Sequence, residues 1–299
     1  MITVEGLTKS YGDFTAVNDV TFTAESGQVT GFLGPNGAGK TTTMRIMAGL
    51  TTASRGTTRV GGHAYRDIPN PGLHVGVLLD ASAQHAGRTG REVLTLSART
   101  MGLPTSRVDE MLELVSLSSK EAKRRVRNYS LGMRQRLGIA NALLGDPSIL
   151  ILDEPANGLD PAGIHWMRGL LRSYAARGGT VLLSSHLLHE VEQIADEMIL
   201  IGQGRIVAQG TKAQLLQTTG TIVRAAEPAQ LQAALQAAGI AATVPDEGAL
   251  RVDVEPIEVG TVAAAAGVVL VELRSADGSG LEDLFLQLTA DTQREGVPA

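Results

Sequence analysis

The chain is 299 residues long, 43% hydrophobic and 19% charged, with a formal net charge of −5. That length suits one large domain plus a small one, and the apolar content excludes general disorder. The acidic balance offers no basic surface for a nucleic-acid backbone, and the absence of cysteine excludes disulfides, thiolate metal sites and a cysteine nucleophile.

No stretch approaches the roughly 18–20 apolar residues that cross a bilayer. The opening Met1-Ile2-Thr3-Val4-Glu5 lacks a basic-then-apolar leader pattern. The expectation is a soluble chain that stays in the cytoplasm. Aromatic residues make up only 3%, so the core must be mainly Leu, Val, Ile and Ala.

Residues 29–33 are an apolar run ending in a glycine-rich turn, and 40–49 follow with a helical pattern around Met44, Ile46 and Met47. A strand over 75–79 leads to Asp80. Residues 120–127 hold a basic run that reads as a solvated face. A helix is predicted over 134–144, and the uninterrupted apolar run 149–152 reads as a parallel strand buried on both faces. A further strand spans 181–184, a helix 186–195 and a strand 198–201. This alternation predicts an α/β domain with a mainly parallel sheet.

Charge then shifts. The first 220 residues carry 22 Lys+Arg against 19 Asp+Glu, the last 79 only 4 against 12. The shift lies beside the turn-like Thr218-Thr219-Gly220 and predicts a boundary there, with residues 1–219 as the main domain and 220–299 as a small acidic one. The tail reads as an α+β module: a helix over 228–238, strands over 250–254 and 268–273, and an apolar-periodic helix over 281–288. There is no internal repeat.

Two motifs carry chemistry. Gly34-Pro35-Asn36-Gly37-Ala38-Gly39-Lys40-Thr41 fits G-x-x-x-x-G-K-[ST], between an apolar strand and a helix. Glycines let successive backbone N–H groups turn toward phosphate oxygens, and the following helix adds its positive dipole end. Gly34, Asn36, Gly37, Gly39, Lys40, Thr41 and Thr42 are therefore the nucleotide-binding candidates. Lys40 is placed to reach the β- and γ-phosphates, and the Thr41 hydroxyl to ligate Mg2+. The strand 149–152 ends in Asp153-Glu154. Asp153 is the second Mg2+ candidate, and Glu154 can act as general base on the attacking water.

With Ser130-Leu131-Gly132-Met133-Arg134-Gln135-Arg136, Gly158-Leu159-Asp160-Pro161 and Ser184-Ser185-His186, the order of motifs over about residues 2–217 resembles the ATPase subunit of ABC transporters. The resemblance implies a phosphate-loop NTPase fold with an antiparallel β portion at the N-terminus and a helical subdomain over about 81–140. It implies that Ser130 and Gly132 contact phosphate and that Asp160 bridges two subunits. It further implies that His186 senses the γ-phosphate and orients water, and that Tyr11 stacks on adenine. The signature's first glycine is Leu131 and its glutamine is Met133, and Asp80 stands where the family normally has a metal-coupling glutamine. These departures, with Thr89-Gly90-Arg91-Glu92-Val93-Leu94 and the ending Gly280-Leu281-Glu282-Asp283-Leu284-Phe285-Leu286, are similar to the branch that powers small-domain drug and antibiotic exporters.

Implied cofactors are ATP and Mg2+. Implied partners are a second copy of the chain and a separate integral-membrane permease, with no nucleic acid, which would place the protein on the inner face of the cell membrane. Residues 80–120 are the candidate docking stretch. The rival from another class is a soluble ABC-type ATPase with a regulatory role, on ribosomes or DNA. Against it stand the single ATPase unit and the lack of sustained heptads. A GTPase would need an Asn-Lys-x-Asp motif, which does not occur.

Overall fold

The computed structural model describes residues 1–186, 188–215, 220–246 and 249–275. The chain forms two compact units, Met1–Thr211 and a second that begins at Lys212. The division falls eight residues before the charge shift, because a boundary follows packing and not net charge.

In chain order the first unit contains β1 (Ile2–Tyr11), β2 (Phe14–Ala24), β3 (Val29–Leu33), α1 (Lys40–Met47), β4 (Arg55–Val60) and β5 (Val75–Leu78). Helices α2 (Gly90–Met101), α3 (Ser106–Leu114), α4 (Ser119–Ala122) and α5 (Leu131–Leu143) follow. Then come β6 (Ile149–Leu152), α6 (Pro161–Ala176), β7 (Thr180–Ser185), α7 (Leu188–Glu192), β8 (Glu197–Gly202) and β9 (Arg205–Gly210).

Strands β2-β1-β4 form an antiparallel sheet. A six-stranded sheet has the order β5-β6-β7-β3-β8-β9, parallel except for β9 at its edge. Every residue of β3, β6 and β7 is buried, as parallel strands covered on both faces require. One core cluster joins the two sheets, with the rings of Phe22 and Phe32 5.4 Å apart. β3 lies at the centre, between β7 and β8, so the turn after it opens at the carboxyl ends of the strands, where open α/β sheets bind ligands.

Two helices differ from the sequence expectation. α5 starts at Leu131, three residues early, because Ser130 caps it by accepting the Met133 N–H at 3.2 Å. The apolar periodicity of 134–144 does not extend through Leu131-Gly132-Met133, so pattern alone misses that first turn. α7 covers only Leu188–Glu192 of the predicted 186–195.

The second unit contains α8 (Lys212–Leu215), β10 (Thr221–Ala225), α9 (Pro228–Ala237), β11 (Ala242–Asp246), β12 (Ala249–Val252), α10 (Pro256–Ala265) and β13 (Leu270–Ser275). Its sheet is antiparallel in the order β11-β12-β10-β13. With α9 and α10 this is a βαββαβ module around Val223, Leu231, Leu235, Leu250, Val252 and Val259. The helix predicted over 281–288 lies outside the described residues. Among the described residues no helix is long and apolar enough to cross a membrane.

Candidate functional site

The loop between β3 and α1 curls because Gly37 (φ 80°) and Gly39 (φ 107°) take left-handed conformations that a side chain resists. A Cβ on Gly39 would also sit 2.6 Å from the Ala16 carbonyl. α1 begins with no side-chain cap, which leaves its first amides facing the loop. The loop encloses a cavity of about 310 Å³ lined by residues 35–42, Phe14, Ala16 and Glu154.

Lys40 is 6% exposed. Its Nζ donates to the carbonyls of Gly34 at 2.5 Å and Pro35 at 3.3 Å. Burial pulls its pKa below the usual lysine value, while the charges of Glu154 and Asp153 act in the opposite direction. Glu154 Oε1 lies 3.7 Å from Nζ.

The acidic pair stands at the end of β6. The Thr41 hydroxyl donates to Asp153 Oδ2 at 2.6 Å, across 112 residues of sequence. Ser184, on the neighbouring β7, donates its hydroxyl to Asp153 Oδ1 and accepts the Glu154 N–H at 2.9 Å. His186 Nδ1 lies 2.9 Å from Glu154 Oε2. Thus Lys40, Thr41, Asp153, Glu154, Ser184 and His186 converge because β6, β7 and β3 are adjacent and parallel and end together.

Magnesium is held by one or two protein oxygens together with substrate phosphates, so it needs few side chains. The hard oxygens of Thr41 and Asp153, already touching, fit that demand. Among the described residues no group of three or more His, Asp or Glu forms a fuller metal cage.

The remaining predicted residues lie elsewhere. Asp80 Oδ1 accepts both the N–H and the hydroxyl of Ser82, at 2.7 and 2.6 Å, which holds its carboxyl below the usual range. That ties Asp80 to its own loop, and among the described residues it makes no hydrogen bond to Thr41 or Asp153. Nearby Gln84 is half-buried, its Oε1 without a partner among the described residues. Tyr11 is 53% exposed with Lys9 Nζ 4.7 Å above its ring, and Phe14, its cross-strand partner at the hairpin tip, lines the loop cavity. Asp160 caps α6 by accepting the Gly163 N–H at 3.0 Å. Gly132 abuts the Gly158 carbonyl, where a Cβ would stand 2.7 Å away.

Sequence reasoning gave Ser184 and Gln135 no role. Gln135 is 3% exposed, and its Nε2 donates to the Glu154 carbonyl at 2.6 Å. The available signal was a glutamine among the apolar residues of the buried face of α5.

Fold and site together define a phosphate-loop nucleotide-binding protein. A family model described as ABC transporter matches residues 17–157, and a domain of unknown function matches 219–282. The chain is 34% identical over 309 residues to the uncharacterized ABC transporter ATP-binding protein YhcH of Bacillus subtilis (strain 168), covering 99% of this chain and 98% of that protein. It is 40% identical over 225 residues to the Nod factor export ATP-binding protein I of Ralstonia nicotianae, covering 72% of this chain and 68% of that one. A solved ATP-binding subunit of an ABC transporter superposes with a TM-score of 0.66 at 29% identity, covering 72% of this chain and 91% of its own. The chain belongs to the ATP-binding subunits of ABC transporters, an ATPase family, and has export proteins among its relatives.

Proposed function

We propose that the chain hydrolyses ATP for an export system, with two copies closing around two ATP molecules and driving a separate integral-membrane subunit. The observation that carries the hydrolytic part is the convergence of Lys40, Thr41, Asp153, Glu154 and His186 within hydrogen-bonding or ion-pairing distance of one another.

Residues Gly34, Asn36, Gly37, Gly39 and Thr42, with the uncapped start of α1, hold the phosphates through backbone and side-chain donors. Lys40 exchanges the Gly34 carbonyl for the β- and γ-phosphates. Thr41 and Asp153 would hold Mg2+, which would neutralise charge on the phosphates. Glu154 accepts the proton of the attacking water as its oxygen bonds to the γ-phosphorus and the bond to ADP breaks. His186 orients the Glu154 carboxylate and the water. The hairpin tip bearing Tyr11, with Phe14 opposite, supplies the platform for adenine.

One chain carries one loop and one signature, so the start of α5, with Ser130 and Gly132, is assigned to the ATP of a second copy. Asp160 then lies at the contact between copies, and a symmetric homodimer completes both sites. Closure on ATP and release after hydrolysis is the work passed to the membrane subunit, which docks on the stretch 80–120. Asp80, whose Oδ1 is taken by Ser82, would be a further oxygen donor to the metal. Export is supported by the likeness to the Nod factor export ATP-binding protein I of Ralstonia nicotianae. This reading puts the protein on the inner face of the cell membrane through its partner.

The test is to tag the chain in its own cells, solubilise the membranes gently and identify what co-purifies. A polytopic membrane protein in stoichiometric amount is the expected result. Ribosomes, DNA-bound proteins or nothing would overturn the transport assignment and favour a soluble regulatory ATPase.

A further inference from the structure

Glu154 has a left-handed backbone (φ 48°), an uncommon conformation for a residue with a side chain, and one that persists only where its surroundings fix it. Two contacts hold it from opposite sides. Its N–H donates to Ser184 Oγ at 2.9 Å, and its carbonyl accepts Gln135 Nε2 at 2.6 Å. Ser184 is anchored in turn on Asp153. Gln135 belongs to a different element, α5, and is buried.

α5 is itself held close to the loop that follows the acidic pair. Leu131 packs where a Cβ on Gly158 would stand, 2.4 Å from Leu131 Cγ, and Gly132 meets the Gly158 carbonyl. Between Ser130 at the start of α5 and Gln135 lies little more than one turn, so a shift at the start of the helix is passed rigidly to the Glu154 carbonyl.

We propose that Gln135 is a positioning residue for hydrolysis, which sets the Glu154 carboxylate by gripping its backbone and ties that grip to the start of α5. The inference rests on Glu154 acting as the base and, for its second part, on two copies sharing their sites. In such a pair the start of α5 in one copy faces the ATP bound to the other. ATP held by one copy thereby adjusts the base beside the ATP of its partner.

Two variants test this. Gln135→Met keeps the volume and removes the donor, and Gln135→Glu keeps the shape and removes the donor while ionised. Turnover is measured per ATP-binding site, so unfolded protein does not count. Both variants should lower kcat by about 10- to 100-fold, the scale of a small displacement of a catalytic group, with ATP affinity of the folded protein little changed. The Hill coefficient for ATP should fall toward one. In a Glu154→Gln background, Gln135→Met should add nothing, because the residue acts through Glu154.

An unchanged kcat in both variants, or an effect that multiplies fully with Glu154→Gln, would overturn the proposal while leaving Glu154 as the base. Turnover of Glu154→Gln itself at the wild-type rate would overturn it through the base assignment on which it rests.

Discussion

Of the eight buried polar side chains described in the first unit, four, Lys40, Gln135, Asp153 and Ser184, are bonded into one network around Glu154. In the second unit, among its described residues, one polar side chain is buried: Thr221, whose hydroxyl donates to the Val254 carbonyl at 2.5 Å. Every non-glycine residue with positive φ, Glu154 included, likewise belongs to the first unit among the described residues. Burying polar groups costs about 1–3 kcal/mol each when a partner is missing, and left-handed backbone costs about as much. On the proposed reading the first unit carries the reaction, and the second is an apolar-cored βαββαβ module.

The largest expected effect lies at the centre of that network. Glu154→Gln should slow hydrolysis by at least about 10²-fold while keeping ATP binding. Wild-type turnover in an ATPase assay would break the link between the buried network and the reaction. Next in size, Lys40→Ala removes the buried ammonium and its charge-assisted bonds, which are worth about 1.5–3 kcal/mol. ATP affinity should fall by at least about tenfold, and an unchanged dissociation constant in a titration would remove Lys40 from phosphate binding. On nucleotide chemistry the smallest effect is expected from the second unit. Leu235→Ala empties part of the α9 packing, where Leu235 is fully buried, and should destabilise that module by about 2–5 kcal/mol. ATP affinity should stay at the wild-type value. A parallel loss of affinity, followed alongside calorimetric unfolding, would show that the two units unfold as one and would dissolve the comparison.

The site was legible in the sequence to the extent that its parts are local. Gly34 to Thr41 carries its own meaning because the turn, the helix start and the lysine are adjacent in the chain. Asp153-Glu154 is equally readable, since an apolar strand delivers it. Asp80 is a metal candidate through the family resemblance, and the structure adds that Ser82, two residues on, donates twice to its Oδ1. That local competition is invisible without coordinates. Phe14 at the loop cavity likewise follows from cross-strand pairing with Tyr11, which a linear motif does not encode.

By itself the sequence determined the chemistry available: a phosphate loop, an acidic pair, a histidine after an apolar strand, and a mainly parallel α/β domain. Spacing and hydrophobic period are properties of the chain alone, and they suffice for these. The tertiary structure alone decided which of the parts meet. The adjacency of β6, β7 and β3 brings Thr41 to Asp153, and sets Ser184 between the Asp153 carboxylate and the Glu154 backbone. It also aims Gln135 from α5 at the strained carbonyl of Glu154. These contacts span 19 to 112 residues. Strand order and helix packing set them, and no local pattern records which distant elements will be neighbours.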